Sequence, residues 1–113
     1  LVEVGLEAHH KTMDLMKAGV PAKDVVLEFE AYVESLGYGD NLLYGPCHAI
    51  GLMEVERPWM ESSSTYDLQE NMTFQVDTFL YTDDYGLRWE DGVIVKSDGV
   101  ELMSDKFMEV IEL

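Results

Sequence analysis

The spacing of hydrophobic residues changes near residue 47 of this 113-residue chain, from a helical period to strand-like alternation. Val2, Leu6, Met13 and Met16 recur at helical spacing, and Gly19 follows as a stop signal. A second apolar stripe lies between Pro21 and Gly37 and consists of Val25, Val26, Phe29, Val33 and Leu36. The pattern predicts two antiparallel helices within residues 1–37, joined by a short link.

The remainder of the chain has the pattern of β structure. A long strand is predicted from Met72 to Tyr81, where aromatic and β-branched residues alternate. Its apolar face consists of Phe74, Val76, Thr78 and Leu80. Tyr85 to Lys96 is predicted to form the next strand, and Val100 to Met103 a last short one. An earlier strand over residues 48–55 is expected to break at Arg57-Pro58, because proline cannot donate a hydrogen bond to a ladder.

Helices followed by antiparallel strands indicate the α+β class, with two antiparallel helices packed on an antiparallel sheet. We expect a single unit over residues 1–113, with helices in 1–37 and the sheet in 45–104. The pattern of residues 107–113 favours neither helix nor strand.

Acidic residues dominate the charge, since 23 Asp and Glu stand against 7 Lys and Arg, giving a formal net charge of −16. Clustered cations supply most of the affinity of nucleic-acid-binding proteins, so the charge argues strongly against that class, and anionic membrane surfaces are disfavoured for the same reason. No apolar run is long enough to span a bilayer. The single cysteine, Cys47, can form neither an internal disulfide nor a cysteine-built zinc site. Metal cations remain compatible partners.

Two carboxylates are predicted to face each other across the central hairpin. A two-residue turn at Asp83-Asp84 places Asp77 opposite Glu90. Opposed Cβ atoms on one sheet face lie about 4.5–5.5 Å apart, and like charges there are destabilising. The pair would need a shared proton or a cation. A one-residue bulge at Gly86, or exposure of both acids to solvent, would remove that requirement.

His48 is the third candidate, because it opens a strand among small and apolar neighbours. It is either a core histidine satisfied by backbone groups or a ligand that joins Asp77 and Glu90 on one face. Such a set of donors suits manganese, cobalt, iron or zinc. Cys47 would point to the opposite face, since neighbours in a strand alternate, and we interpret it as a packed residue rather than a reactive thiol.

These residues also match the pattern of a known family. Cys47 to Leu52 (CHAIGL), followed by Glu56-Arg57-Pro58, resembles the G-H-G-I-G-L…H-E-x-P segment of the pita-bread metallopeptidases. This group contains the Xaa-Pro aminopeptidases, prolidases and methionine aminopeptidases. Three later segments resemble the patterns G-M-V-F-T-I-E, G-V-R-I-E-D and D-G-x-E-x-L-T: residues 71–77 (NMTFQVD), 85–91 (YGLRWED) and 98–103 (DGVELM).

The resemblance implies a centre of two divalent ions held by two aspartates, one histidine and two further acidic residues. His48, Asp77 and Glu90 fall on the last three of these ligand positions, and His48 and Asp77 are expected to serve catalysis. Arg88, two residues before Glu90, is expected to orient the ligands. In the family the two aspartates precede the first helix of this chain. We therefore expect the 113 residues to be the C-terminal part of a pita-bread catalytic domain and to be inactive alone.

The chain also departs from the family pattern. Asp77 replaces the usual glutamate, Val55 stands seven residues after His48 where the peptidases carry a second histidine, and Tyr44 stands where relatives often carry another. We expect a Xaa-Pro-type aminopeptidase or dipeptidase acting on a small peptide, as a cytoplasmic homodimer that binds neither nucleic acid nor membranes. The alternatives are creatinase-like C–N hydrolysis without metal, a metal-dependent lyase acting on a small zwitterion, and a non-catalytic member.

Overall fold

The computed structural model describes residues 2–51 and 55–103, of which the first part is helical. Helix α1 spans Val2–Leu15 and α2 spans Ala22–Ser35, and a short 3-10 turn, Gly39–Asn41, follows. Within the described ranges the strands are β1 Leu42–Tyr44, β2 Cys47–Ala49, β3 Glu56–Trp59, β4 Thr73–Tyr81, β5 Gly86–Val95 and β6 Val100–Leu102. The α+β prediction is confirmed.

The strands form one antiparallel sheet in the order β3-β2-β4-β5-β6, and β1 also pairs with β4. The two long strands, β4 and β5, lie at its centre because their alternating pattern supports nine consecutive pairs, from Thr73↔Ile94 to Tyr81↔Gly86. This central hairpin fixes which side chains share a face.

The helices cover one face of the sheet. The predicted apolar face of β4 is buried there: Phe74, Val76, Thr78 and Leu80. Met13 and Met16 of α1 pack with Val25 and Val26 of α2 in the same cluster. The opposite face of β4 carries Gln75, Asp77 and Phe79, because successive side chains of a strand point to opposite sides.

Three details of the fold differ from the prediction. Arg57-Pro58 lies within β3 instead of ending a strand. β3 stands at the end of the strand order, where one side of the strand needs no ladder donor and proline is tolerated.

The sheet begins at Leu42, earlier than expected, and Leu36 is 43% exposed because α2 ends at Ser35. Residues 107–113 lie outside the described ranges. Neither α1 nor α2 has the length and apolarity needed to cross a membrane.

Candidate metal centre

Asp77 and Glu90 are direct partners across the central hairpin, as the turn at Asp83-Asp84 predicts. The pairing runs without interruption from Gly86 inward, so the alternative of a bulge at that residue is wrong. Asp77 is buried, with 2% of its surface exposed, and Glu90 is partly buried. The two acids therefore share one face with little access to water.

His48 joins the two acids on this face. Strand β2 pairs with β4 so that His48 lies opposite Gln75, two residues along β4 from Asp77 and on the same face. Its Nε2 atom lies 3.3 Å from Asp77 Oδ2. The interpretation of His48 as a histidine of the helix–sheet core is therefore wrong. Ligand atoms of His48, Asp77 and Glu90 lie within 4.8 Å of one another.

Cys47 lies on the other face, as expected, where its Sγ contacts Met16 Sδ at 3.7 Å. Burial raises the pKa of its thiol, with a smaller contribution from the negative charge of Asp77. The sulfur therefore stays protonated and serves as a packed apolar group.

The donor chemistry of the three residues fits a divalent ion. His48 Nδ1 lies 3.3 Å from the carbonyl oxygen of Ala49, an acceptor only, so the proton is assigned to Nδ1. With the proton on Nδ1, Nε2 is free to bind an ion and lies on the side of the carboxylate of Asp77. Two ligands of one tetrahedral ion with bonds of about 2.1 Å lie about 3.4 Å apart, close to the observed spacing.

Arg88 supplies positive charge to the same acids. Its Nε and Nη2 donate to Asp77 Oδ1 and Oδ2, both at 2.9 Å. Nη2 also lies 2.6 Å from Glu90 Oε2. Gln75 Nε2 donates to the remaining oxygen, Glu90 Oε1, at 2.8 Å. Each carboxylate oxygen of the pair therefore has a nitrogen of Arg88 or Gln75 within hydrogen-bonding distance.

A family comparison matches this part of the chain. The model of metallopeptidase family M24 matches residues 1–97, which include the two helices and the three candidate ligands. The chain belongs to family M24. Its fold is part of the pita-bread fold, as the sequence pattern indicates.

Individual M24 relatives agree in both sequence and structure. The chain is 29% identical over 114 residues to YkvY of Bacillus subtilis, covering 100% of the chain and 31% of YkvY. The Xaa-Pro dipeptidase from Bacillus anthracis superposes with a TM-score of 0.90 at 29% identity, covering 98% of the chain and 32% of that protein. The prolidase from Pyrococcus furiosus gives 0.85 at 26%, covering 92% and 31%. The chain thus spans about a third of the length of these proteins.

Two residues that depart from the M24 pattern, Val55 and Tyr44, lie within seven positions of His48 in the sequence. Val55 immediately precedes β3 and is 41% exposed, so an apolar side chain faces solvent where the pattern carries a histidine. Tyr44 belongs to β1 and pairs with Phe79, but its side chain is outside the described part of the structure.

Sequence reasoning missed a hydrogen-bonded His–Asp pair on the other side of the sheet from the candidate ligands. Asp91 follows Glu90 and points to the helix side, where His9 Nε2 of α1 donates to its Oδ2 at 2.6 Å. His9 is 1% exposed, and its Nδ1 has no partner among the described residues. Burial lowers the pKa of His9, and the hydrogen bond and charge of Asp91 only partly oppose this effect. His9 lies on the same helical stripe as Leu6, Met13 and Met16, and that spacing indicates its burial.

Proposed function

We propose that this chain is part of a metal-dependent peptidase of the Xaa-Pro dipeptidase or aminopeptidase type, acting on small peptides. The observation that carries the proposal is the convergence of His48, Asp77 and Glu90 on one sheet face. Membership of family M24 supports the metal and the peptide bond as substrate. The names of the two solved relatives, a Xaa-Pro dipeptidase and a prolidase, support proline in the second position.

In this proposal His48 Nε2 and the carboxylates of Asp77 and Glu90 hold a divalent ion: manganese, cobalt, iron or zinc. The two further aspartates implied by the resemblance would complete a site for two ions. Bound divalent ions supply Lewis-acid polarisation of the scissile carbonyl and acidify water. Asp77 accepts a proton during the reaction, while Arg88 holds both acids in orientation. The cytoplasmic location and the homodimer rest on the resemblance and stay predictions.

The test is hydrolysis of alanyl-proline by the intact protein supplied with manganese or cobalt, with alanyl-alanine as the comparison substrate. His48→Ala and Glu90→Ala should each lower kcat/KM at least about 100-fold, because a ligand of the ion is lost. His10→Ala and Glu101→Ala are matched controls at exposed positions and should retain activity. Equal activity of ligand variants and controls would remove the metal centre from the proposal.

One observation favours a different reaction on the same fold. The exposed Val55 cannot donate a hydrogen bond to a peptide substrate, as a histidine at that position would. A metal-dependent lyase or a creatinase-like C–N hydrolase acting on a small zwitterion is therefore the second candidate. Cleavage of such a compound without hydrolysis of alanyl-proline would favour it. Absence of both metal binding and turnover in the intact protein would favour a non-catalytic member.

A further inference from the structure

Gln75 lies on the sheet face of the candidate ligands and contacts one of them. It lies two residues from Asp77 on the same face, opposite His48 in β2 and opposite Gly92 in β5. It is partly buried, and its amide Nε2 donates to Glu90 Oε1 at 2.8 Å. Glu90 Oε2, the other oxygen of that carboxylate, lies 2.6 Å from Arg88 Nη2, which also donates to Asp77 Oδ2.

Gly92 provides the space for this contact. A Cβ atom built on Gly92 would lie 2.7 Å from Gln75 Oε1 and 3.1 Å from Met103 Sδ. Both neighbours are the outer atoms of flexible side chains rather than backbone. A methyl group at Gly92 would therefore displace the amide of Gln75 without requiring the strand to move.

We propose that Gln75 is a positioning residue for the metal centre, and that Gly92 provides the space its amide requires; the inference rests on the proposed function. The amide holds Oε1, which fixes the rotation of the Glu90 carboxylate and keeps Oε2 at Arg88 Nη2, the nitrogen that Glu90 shares with Asp77. Chain positions 75 and 77 both differ from the family pattern G-M-V-F-T-I-E, with Gln for Thr and Asp for Glu. Asp77 is shorter by one methylene than the usual ligand, so the centre depends more on a correctly oriented Glu90.

The experiment is calorimetric titration of the intact, metal-free protein with manganese chloride. Gln75→Met keeps the length and volume of the side chain and removes the donor, so we expect manganese affinity to fall about 10- to 100-fold. Gly92→Ala should weaken binding in the same direction. In the Gln75→Ala background Gly92→Ala should have no further effect, because the amide that it displaces is already absent.

Gln69→Met, at an exposed loop glutamine, is the matched control and should bind manganese as the wild type does. Thermal unfolding in chelator checks the fold of each variant. A positioning role predicts lost affinity with little change in Tm, and a kcat that falls more than KM rises. If Gln75→Met does not fold, the manganese affinity of Gly92→Ala, measured in wild type and in the Gln75→Ala background, tests the positioning role by itself.

The inference is wrong if Gln75→Met and Gly92→Ala bind manganese within about twofold of wild type while His48→Ala and Glu90→Ala lose binding. If His48→Ala and Glu90→Ala also retain full affinity, the proposed metal centre itself is wrong, and the two failures are therefore distinguishable.

Discussion

At the scale of single residues, the notable feature is how two facing carboxylates are tolerated on a half-buried sheet face. The spacing of the hairpin turn predicts that Asp77 and Glu90 face each other, and the pairing confirms it. The sequence also indicates that such a pair needs a proton or a cation. It does not indicate that Arg88 is the cation, because a long side chain can adopt many rotamers and alternation in the strand fixes only its face.

The role of Arg88 leads to a prediction about metal-dependent stability. Arg88→Gln removes the guanidinium that bridges the two acids, so the metal-free protein should lose about 1–3 kcal/mol of unfolding free energy. Manganese should restore more stability to this variant than it adds to the wild type, because the ion no longer competes with Arg88. Denaturant unfolding in chelator and in excess manganese measures both quantities. Arg57→Gln, at an exposed arginine, is the control, and a smaller gain in Arg88→Gln than in wild type would contradict the competition.

The buried His9 predicts a loss of stability in mild acid. Its pKa in the folded chain is lowered from 6.5, chiefly by burial, so the unfolded chain binds a proton that the folded chain excludes. The stabilising contribution is therefore full above the unfolded pKa and decreases as the pH falls below it. Asp91 and Asp77 raise this pKa and His10 lowers it, but burial has the largest effect.

His9→Gln should remove that part of the pH dependence. We expect the unfolding free energy of wild type and of the exposed control His10→Gln to fall more between about pH 8 and about pH 5 than that of His9→Gln. Urea unfolding at each pH provides the measurement, and parallel pH profiles for all three proteins would show that His9 does not titrate with folding.

At the scale of elements, helix α1 approaches β5 through a glycine. A Cβ atom at Gly5 would overlap the ring of Trp89, which lies on the helix side of the sheet opposite Thr78. Gly5→Ala normally adds about 0.5–1 kcal/mol to a helix, whereas overpacking costs about 1–3 kcal/mol. We therefore expect a net loss of stability in wild type. In the Trp89→Ala background the same substitution should become stabilising, and an unchanged sign across the two backgrounds by denaturant unfolding would refute close packing as the cause.

The edge strand β3 shows where reasoning about elements from sequence fails. Proline excludes Arg57-Pro58 from a central strand, and the pattern alone cannot place a segment at an edge. β3 pairs with β2 across an irregular register, His48↔Trp59 and Ala49↔Glu56, so its alternation is interrupted as well. The three-residue strand β1 is likewise too short to give a periodic signal.

At the scale of the whole molecule, the features that can be predicted from the sequence are those set by residues close together in the chain. The faces of β4 and β5 follow from alternation, and the His48, Asp77 and Glu90 cluster follows from turn length and family pattern. The His9–Asp91 pair joins residues 82 positions apart and depends on how a helix sits on the sheet, which no local pattern encodes. The charge of −16 disfavours anionic partners without locating a site, because most acids lie on exposed positions.

The number of converging donors predicts how the 113 residues behave as a separate polypeptide. Three side chains converge in the part of the chain that the structure describes, whereas the family pattern implies five for two ions. Arg88 already offsets one of the two negative charges, so an entering ion gains less electrostatic energy than it would at a site without the guanidinium. Since affinity depends on having all ligands positioned and deprotonated, we expect weak manganese binding and no hydrolysis of alanyl-proline. Calorimetric titration and a dipeptide assay at the same protein concentration test both expectations, with the intact protein as the positive control. Micromolar binding of two ions per chain, or measurable turnover, would show that the 113 residues need no further ligands from outside this chain.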